Sequence, residues 1–143
     1  MTTGKFFEKI FGLDKLKFSE VVINRSVIDS IVDLARGSYP NEFIALLQGN
    51  VKNKKLIIDG LVYQPYDASR ISTIMKMNVP SLSRVVGSVH SHPSKSGPSS
   101  TDLLSFNKRG AIHLIIGYPY SVKDINCYDF EGNKLEFGVD KNN

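Results

Sequence analysis

The side chains with chemistry to offer are concentrated between Gly87 and Asp102, in the segment GSVHSHPSKSGPSSTD. His90 and His92 stand two residues apart at the end of an apolar run, and a Pro/Gly/Ser loop then leads to the carboxylate of Asp102. In an extended strand side chains alternate faces, so Ser88, His90 and His92 point the same way, the two histidine Cα atoms roughly 7 Å apart. Two imidazoles at that spacing can converge on one ion at about 2.0–2.1 Å from each nitrogen. Pro93 has no N–H to donate and ends the ladder, which leaves the pair at a strand end, open to a cleft. A lone H-x-H is a weak signal, and the bland alternative is two surface histidines on a strand.

Asp102 opens a second element. Ser99-Ser100-Thr101-Asp102, followed by Leu103, Leu104 and Phe106, has the pattern of a helix start, with Ser99 as N-cap and Asp102 as its capping-box partner. On a second reading the Gly97-Pro98 turn swings the helix start back towards the histidines and makes Asp102 a third ligand. The two readings compete for the Asp102 carboxylate but not for the Ser99 hydroxyl. Two histidines, one carboxylate and an open position form the ligand set of catalytic rather than structural zinc.

The ordered series H-x-H-P, loop, P-S-x-x-D is far more specific than its parts, and the chain resembles the JAMM (MPN-type) metalloproteases. Their pattern of an upstream Glu, H-S-H-P and P-S-x-x-D is matched by Glu42, His90-Ser91-His92-Pro93 and Pro98-Ser99-Ser100-Thr101-Asp102. The resemblance spans roughly residues 20 to 137. It implies Zn2+ held by His90, His92 and Asp102, Glu42 as general acid/base, and Ser99 helping to hold the oxyanion. It also implies an α/β fold of α+β type, a mixed central sheet flanked by helices with cytidine-deaminase-like architecture. A first segment, residues 1–18, then precedes a single catalytic domain, residues 19–143. The sequence departs from the pattern in two places: the loop from His92 to Ser99 is one residue shorter than usual, and Ala45 stands where Gly is common.

The family mostly cleaves isopeptide bonds to ubiquitin or ubiquitin-like modifiers, and some members release amino acids from sulfur-carrier proteins. The resemblance therefore implies a zinc isopeptidase acting after the Gly-Gly tail of a ubiquitin-like protein, closer to the stand-alone prokaryotic members than to subunits of large assemblies. Two other classes stay open: a hydrolase for small amides or sulfur-carrier adducts, and a metal-free scaffold of the same fold.

The remaining elements must hold these groups in place. A chain of 143 residues, 41% hydrophobic and 22% charged, fits one globular domain with a real core. The net charge of +4 is modest and the lysines are scattered, which argues against nucleic-acid binding. No apolar run approaches the roughly 18–20 residues of a membrane span and no signal peptide is apparent, so a cytoplasmic location is expected. The single cysteine, Cys127, excludes an internal disulfide and fits a core thiol in a reducing compartment.

Arg84–Val89, continuing through His92, reads as the histidine strand. Glu42 heads a second apolar run, Phe43 to Gln48; a carboxylate there is also an ordinary solvated edge residue. Glu20–Asn24 reads as a strand, and Ser26 as the cap of a helix with Val27, Ile28, Ile31, Val32 and Ala35 as its buried stripe and Gly37 at its close. A polar hairpin loop over 49–55 leads to a strand ending at Tyr63. A loop at 64–70 has the character of a binding loop, and a strand covers 71–77. Ala111–Gly117 is a buried strand in which His113 is structural. Residues 124–130 and 134–137 make a closing hairpin, and the last few residues are expected to fray. Residues 5–17 place Phe6, Phe7, Ile10, Phe11 and Leu13 on one side of a helical wheel. That segment must dock on its own domain, on a partner chain or homodimer mate, or on a membrane surface.

Overall fold

A computed structural model describes residues 17–63, 84–93 and 110–141. The first strand, β1 (Glu20–Asn24), runs directly into helix α1 (Arg25–Ser38). Then follow β2 (Ile44–Lys52), β3 (Lys55–Tyr63), β4 (Val85–His92), β5 (Ile112–Gly117), β6 (Ile125–Asp129), β7 (Lys134–Leu135) and β8 (Gly138–Asp140). The helix buries Val27, Ile28, Ile31, Val32 and Ala35, the stripe its 3.6-residue period predicts. Its cap differs from expectation. Asn24 is the N-cap and makes no side-chain capping bond, so Ser26 lies inside the first turn. Gly37 lies inside the last turn, and Tyr39 caps the end with its N–H donated to the Ala35 carbonyl.

The eight strands among the described residues join one mixed sheet in the order β7-β6-β5-β4-β2-β3-β1-β8. The pairs β1·β3, β1·β8 and β4·β5 are parallel, and the others are antiparallel. Strands β7 and β8 lie at opposite edges, yet only Glu136 and Phe137 separate Leu135 from Gly138. Three residue steps span at most about 10–11 Å, so the sheet curls until its two edges nearly meet. Helix α1 packs against β1, β3, β4, β5 and β8, which places it inside the curl. Gly138, Val139 and Asp140 do not fray but pair with Val22, Ile23 and Asn24, while the last two residues, also expected to fray, lie outside the described residues.

The core lies between α1 and this inner face, with Ile23, Ile28, Ile31, Leu47, Leu56, Ile58, Val89, Ile112, Leu114 and Ile116 all buried. The hairpin between β2 and β3 is tighter than the sequence pattern suggests. Lys52 pairs with Lys55, and only Asn53 and Lys54 turn the chain, both at positive φ (53° and 61°). Two consecutive left-handed residues are the signature of a turn that follows the strand twist. Gly49 and Asn50 belong to the ladder beside a bulge rather than to the loop.

A candidate metal centre at the end of two paired strands

Strand β4 is buried along nearly its whole length and lies between β2 and β5, with a hydrogen-bonded neighbour on each side. Two glycines allow this close fit. A Cβ on Gly87 would collide with the Ile112 carbonyl of β5, and one on Gly110 would lie 2.6 Å from the Val86 carbonyl oxygen at a φ of +130°. Neither position accepts a side chain without moving the backbone of the histidine strand.

Period-2 alternation along β4 puts Ser88, His90 and His92 on one face, with Val89 and Ser91 on the other. Val89 belongs to the core around α1, so the histidines project from the face of the sheet turned away from the helix. On that outer face Ser88 aligns with His113 of β5. The His113 ring is fully buried, with Nε2 3.2 Å from the Gly110 carbonyl and Nδ1 2.9 Å from the Ser88 hydroxyl. A carbonyl only accepts, so Nε2 carries the proton and Nδ1 accepts from Ser88. Both ring nitrogens of His113 are thus occupied within the fold.

His90 and His92 meet at the strand end, their Nε2 atoms 3.2 Å apart and their ring centroids 4.9 Å apart. His90 is buried and His92 is half-exposed. Two nitrogen lone pairs aimed at one another repel unless a proton or a cation lies between them. Zinc–nitrogen bonds of 2.0–2.1 Å at the tetrahedral angle separate two nitrogens by about 3.3–3.4 Å. The 3.2 Å spacing fits that edge, and neutral imidazole is a suitable donor, so these two residues fit a shared zinc ion.

Glu42 reaches the same place through the ladder. Ile44 pairs with His90 in antiparallel register, and the Ser91 N–H donates to the Phe43 carbonyl at 3.1 Å. Glu42 precedes Phe43, just outside the paired residues, and so lies beside the strand end that carries His92. Glu42 is exposed there. The link is reinforced by Ser91, whose fully buried hydroxyl oxygen accepts the Phe43 N–H at 2.9 Å. Ser91 is a positioning group that the histidine pattern alone does not single out. Its signal was a small hydroxyl residue held between two histidines on an otherwise apolar strand.

Three tyrosines line the same end of the sheet and were not singled out from the sequence either. The rings of Tyr39, Tyr118 and Tyr120 stand 5.2, 5.6 and 6.0 Å from one another, and the Tyr118 N–H donates to the His92 carbonyl at 3.1 Å. Burial, and then the neighbouring Tyr39, Glu42 and Tyr118, push the Tyr120 phenol above its ordinary range. Ser99 and Asp102, expected as oxyanion donor and third ligand, lie outside the described residues. So do the loops at 64–70 and 94–97, the strand at 71–77, the helix at 99–108 and nearly all of the segment 5–17. Among the described residues no cluster of three or more His, Cys, Asp or Glu side chains forms. No described helix is long and apolar enough to cross a membrane.

Comparison with known proteins bears on the family and the fold. The family model for prokaryotic homologues of the JAB domain matches residues 24–131. A probable metalloprotease of Haloferax volcanii is 34% identical over 134 residues, covering 84% of this chain and 80% of that one. A JAB1/MPN domain protein from Archaeoglobus fulgidus is 35% identical, with a TM-score of 0.65 over 82% of this chain and 96% of that one. A structure described as a JAMM metalloprotease-like zinc site in the proteasome and signalosome is 31% identical, with a TM-score of 0.66 over 86% of this chain and all of that one. The curled mixed sheet, the H-S-H-P strand end and these relatives agree, and the chain belongs to the prokaryotic branch of the JAB (JAMM/MPN) metalloprotease-like family.

Proposed function

We propose that the protein is a zinc-dependent isopeptidase that hydrolyses the amide after the C-terminal Gly-Gly of a ubiquitin-like modifier. The observation that carries this reading is the 3.2 Å approach of His90 Nε2 and His92 Nε2 on the strand that pairs with the approach to Glu42. The likeness to a protein described as having a JAMM zinc site supports the choice of metal. In this reading His90, His92 and Asp102 hold the ion. Zinc, when bound, supplies the Lewis acidity that makes water a nucleophile near neutral pH.

The chain's own groups do the rest. Glu42 accepts a proton from the attacking water and returns it to the leaving amine. Ser99 donates its hydroxyl to the oxygen on which negative charge develops. Ser91 and the β2·β4 ladder anchor Phe43, the neighbour of Glu42, beside the histidine strand, which limits the reorganisation the reaction needs. Cys127 is not a rival nucleophile, because burial and the nearby Asp129 push its thiol up to about 12.

The Gly-Gly preference has a steric rationale, since residues without Cβ can lie extended in a narrow site. Strand β4 has partners on both sides, so a tail bound as an added strand would pair with another backbone edge near the site. The test offers the zinc-loaded protein a Gly-Gly isopeptide conjugate and its counterpart with the penultimate Gly changed to Val. Cleavage of the first alone is expected. Equal cleavage of both, or rapid turnover of a simple acyl amide with neither conjugate cut, would discard this substrate class.

A further inference from the structure

The large hydrophobic side chains left exposed among the described residues are all tyrosines: Tyr39 at 49%, Tyr118 at 55% and Tyr63 at 38%. All three sit at the end of the sheet that carries Glu42 and His92. Tyr39 caps α1 three residues before Glu42, and Tyr118 is bonded through its N–H to the carbonyl of His92. Tyr63 aligns with Ala45, and its ring meets Phe43 at 6.2 Å. Elsewhere the described sheet buries its aromatic rings or leaves them partly covered, so this placement is a local feature of the candidate site.

Behind Tyr39 and Tyr118 lies Tyr120, 2% exposed and held at a φ of +67°, a conformation rare for a bulky residue. Its N–H donates to the Gly117 carbonyl at 2.9 Å, which closes the turn after β5. The two exposed rings therefore rest on a fixed support rather than on a mobile side chain.

The side of the candidate site on which these rings lie determines what they can touch. Glu42, as general acid, gives its proton to the departing amine, so the amine half of the substrate must pass beside Glu42. We propose that Tyr39 and Tyr118, backed by Tyr120, form the subsite for the aliphatic stem of the lysine whose ε-amine is released. Tyrosine faces take up methylene groups through apolar contact and leave their hydroxyls in water. After cleavage the released ammonium is left between π-faces and the Glu42 carboxylate, both of which attract a cation. The subsite rests on the isopeptidase reading above, and it makes Tyr39 and Tyr118 specificity-determining residues for the leaving group.

The experiment compares a Gly-Gly-terminated peptide amide-linked to the ε-amine of lysine with the same peptide as its methylamide. Wild type, Tyr39→Ala, Tyr118→Ala and Tyr118→Phe are each assayed with zinc. Each alanine variant should lose about tenfold in kcat/KM on the lysine compound, as when roughly two methylenes lose apolar cover, and less than about twofold on the methylamide. Tyr118→Phe should behave as wild type on both. Equal losses on the two compounds would overturn the subsite while leaving the isopeptidase reading intact. If wild type cleaves neither compound, that reading fails, and binding followed by tyrosine ring resonances decides the subsite separately. Tighter binding of the lysine compound that vanishes in Tyr118→Ala supports it, and equal affinity for both compounds overturns it.

Discussion

The hydroxyl oxygen of Ser91 accepts the Phe43 N–H at 2.9 Å, and the Ser91 N–H donates in turn to the Phe43 carbonyl at 3.1 Å. One residue thus fastens the strand of the two histidines to the approach of Glu42, from a position flanked by both imidazoles. Ser91→Ala leaves a buried N–H without its acceptor and should cost about 1–3 kcal/mol of stability. Zinc content should be unchanged, and kcat should fall more than KM rises because Glu42 is less well held. Thermal melts, metal analysis and steady-state kinetics check the three parts. Normal kcat in a destabilised variant would reduce Ser91 to a core hydrogen bond.

Gly87→Ala is expected to be among the most damaging substitutions in the sheet. The added Cβ meets the Ile112 carbonyl, which belongs to backbone and cannot swing aside. Strands β4 and β5 would have to part, and overpacking of this kind typically costs about 1–3 kcal/mol or more. Denaturant unfolding measures the loss, which should far exceed that of Gly37→Ala, where nothing lies within 4 Å of the new atom. Similar small effects at both sites would mean that β4 and β5 are not held this closely.

Much of this was legible in the sequence because it depends on short periods. The α1 stripe, the burial of β5 and the shared face of Ser88, His90 and His92 follow from 3.6- and 2-residue repeats. The partners of these elements were not legible. Whether Gly138–Asp140 frays or pairs with β1 depends on how far the sheet curls, which is a long-range property. The helix cap fell two residues earlier than the serine pattern implied, because β1 passes straight into α1 and leaves no loop for Ser26 to close. The aromatic rim drew no notice for a similar reason: Tyr39 and Tyr118 are 79 positions apart and meet only when the end of α1 packs beside the end of β5.

Cys127 should be inert in the folded protein. Its thiol is raised from an ordinary 9.0 to about 12 by burial and then by Asp129. A folded-state value above the unfolded one means this group leaves stability unchanged below about pH 9 and lowers it as pH rises from there towards 12. Alkylation by iodoacetamide at pH 8 should be negligible in the native state and complete in denaturant. Rapid labelling of the native protein would show that β6 opens far more readily than its buried pairing with β5 implies.

Glu42→Gln keeps the shape of the side chain but removes its capacity to take a proton. Glu42 is exposed, and the amide has nearly the same size and shape. Fold and zinc content should therefore persist, while kcat should fall by about 10²–10⁴-fold. Near-normal turnover would place the base elsewhere.

The central claim is that the two imidazoles at the end of β4 hold a zinc ion, and metal stoichiometry of the purified protein tests it most directly. Wild type and Glu42→Gln should each carry about one zinc per chain, as expected for a single three-ligand site. His92→Ala should melt close to wild type yet lose its zinc, and Asp102→Ala should do the same if Asp102 is the third ligand. Full zinc occupancy in a folded His92→Ala, or no zinc in wild type after incubation with the metal, would contradict the account.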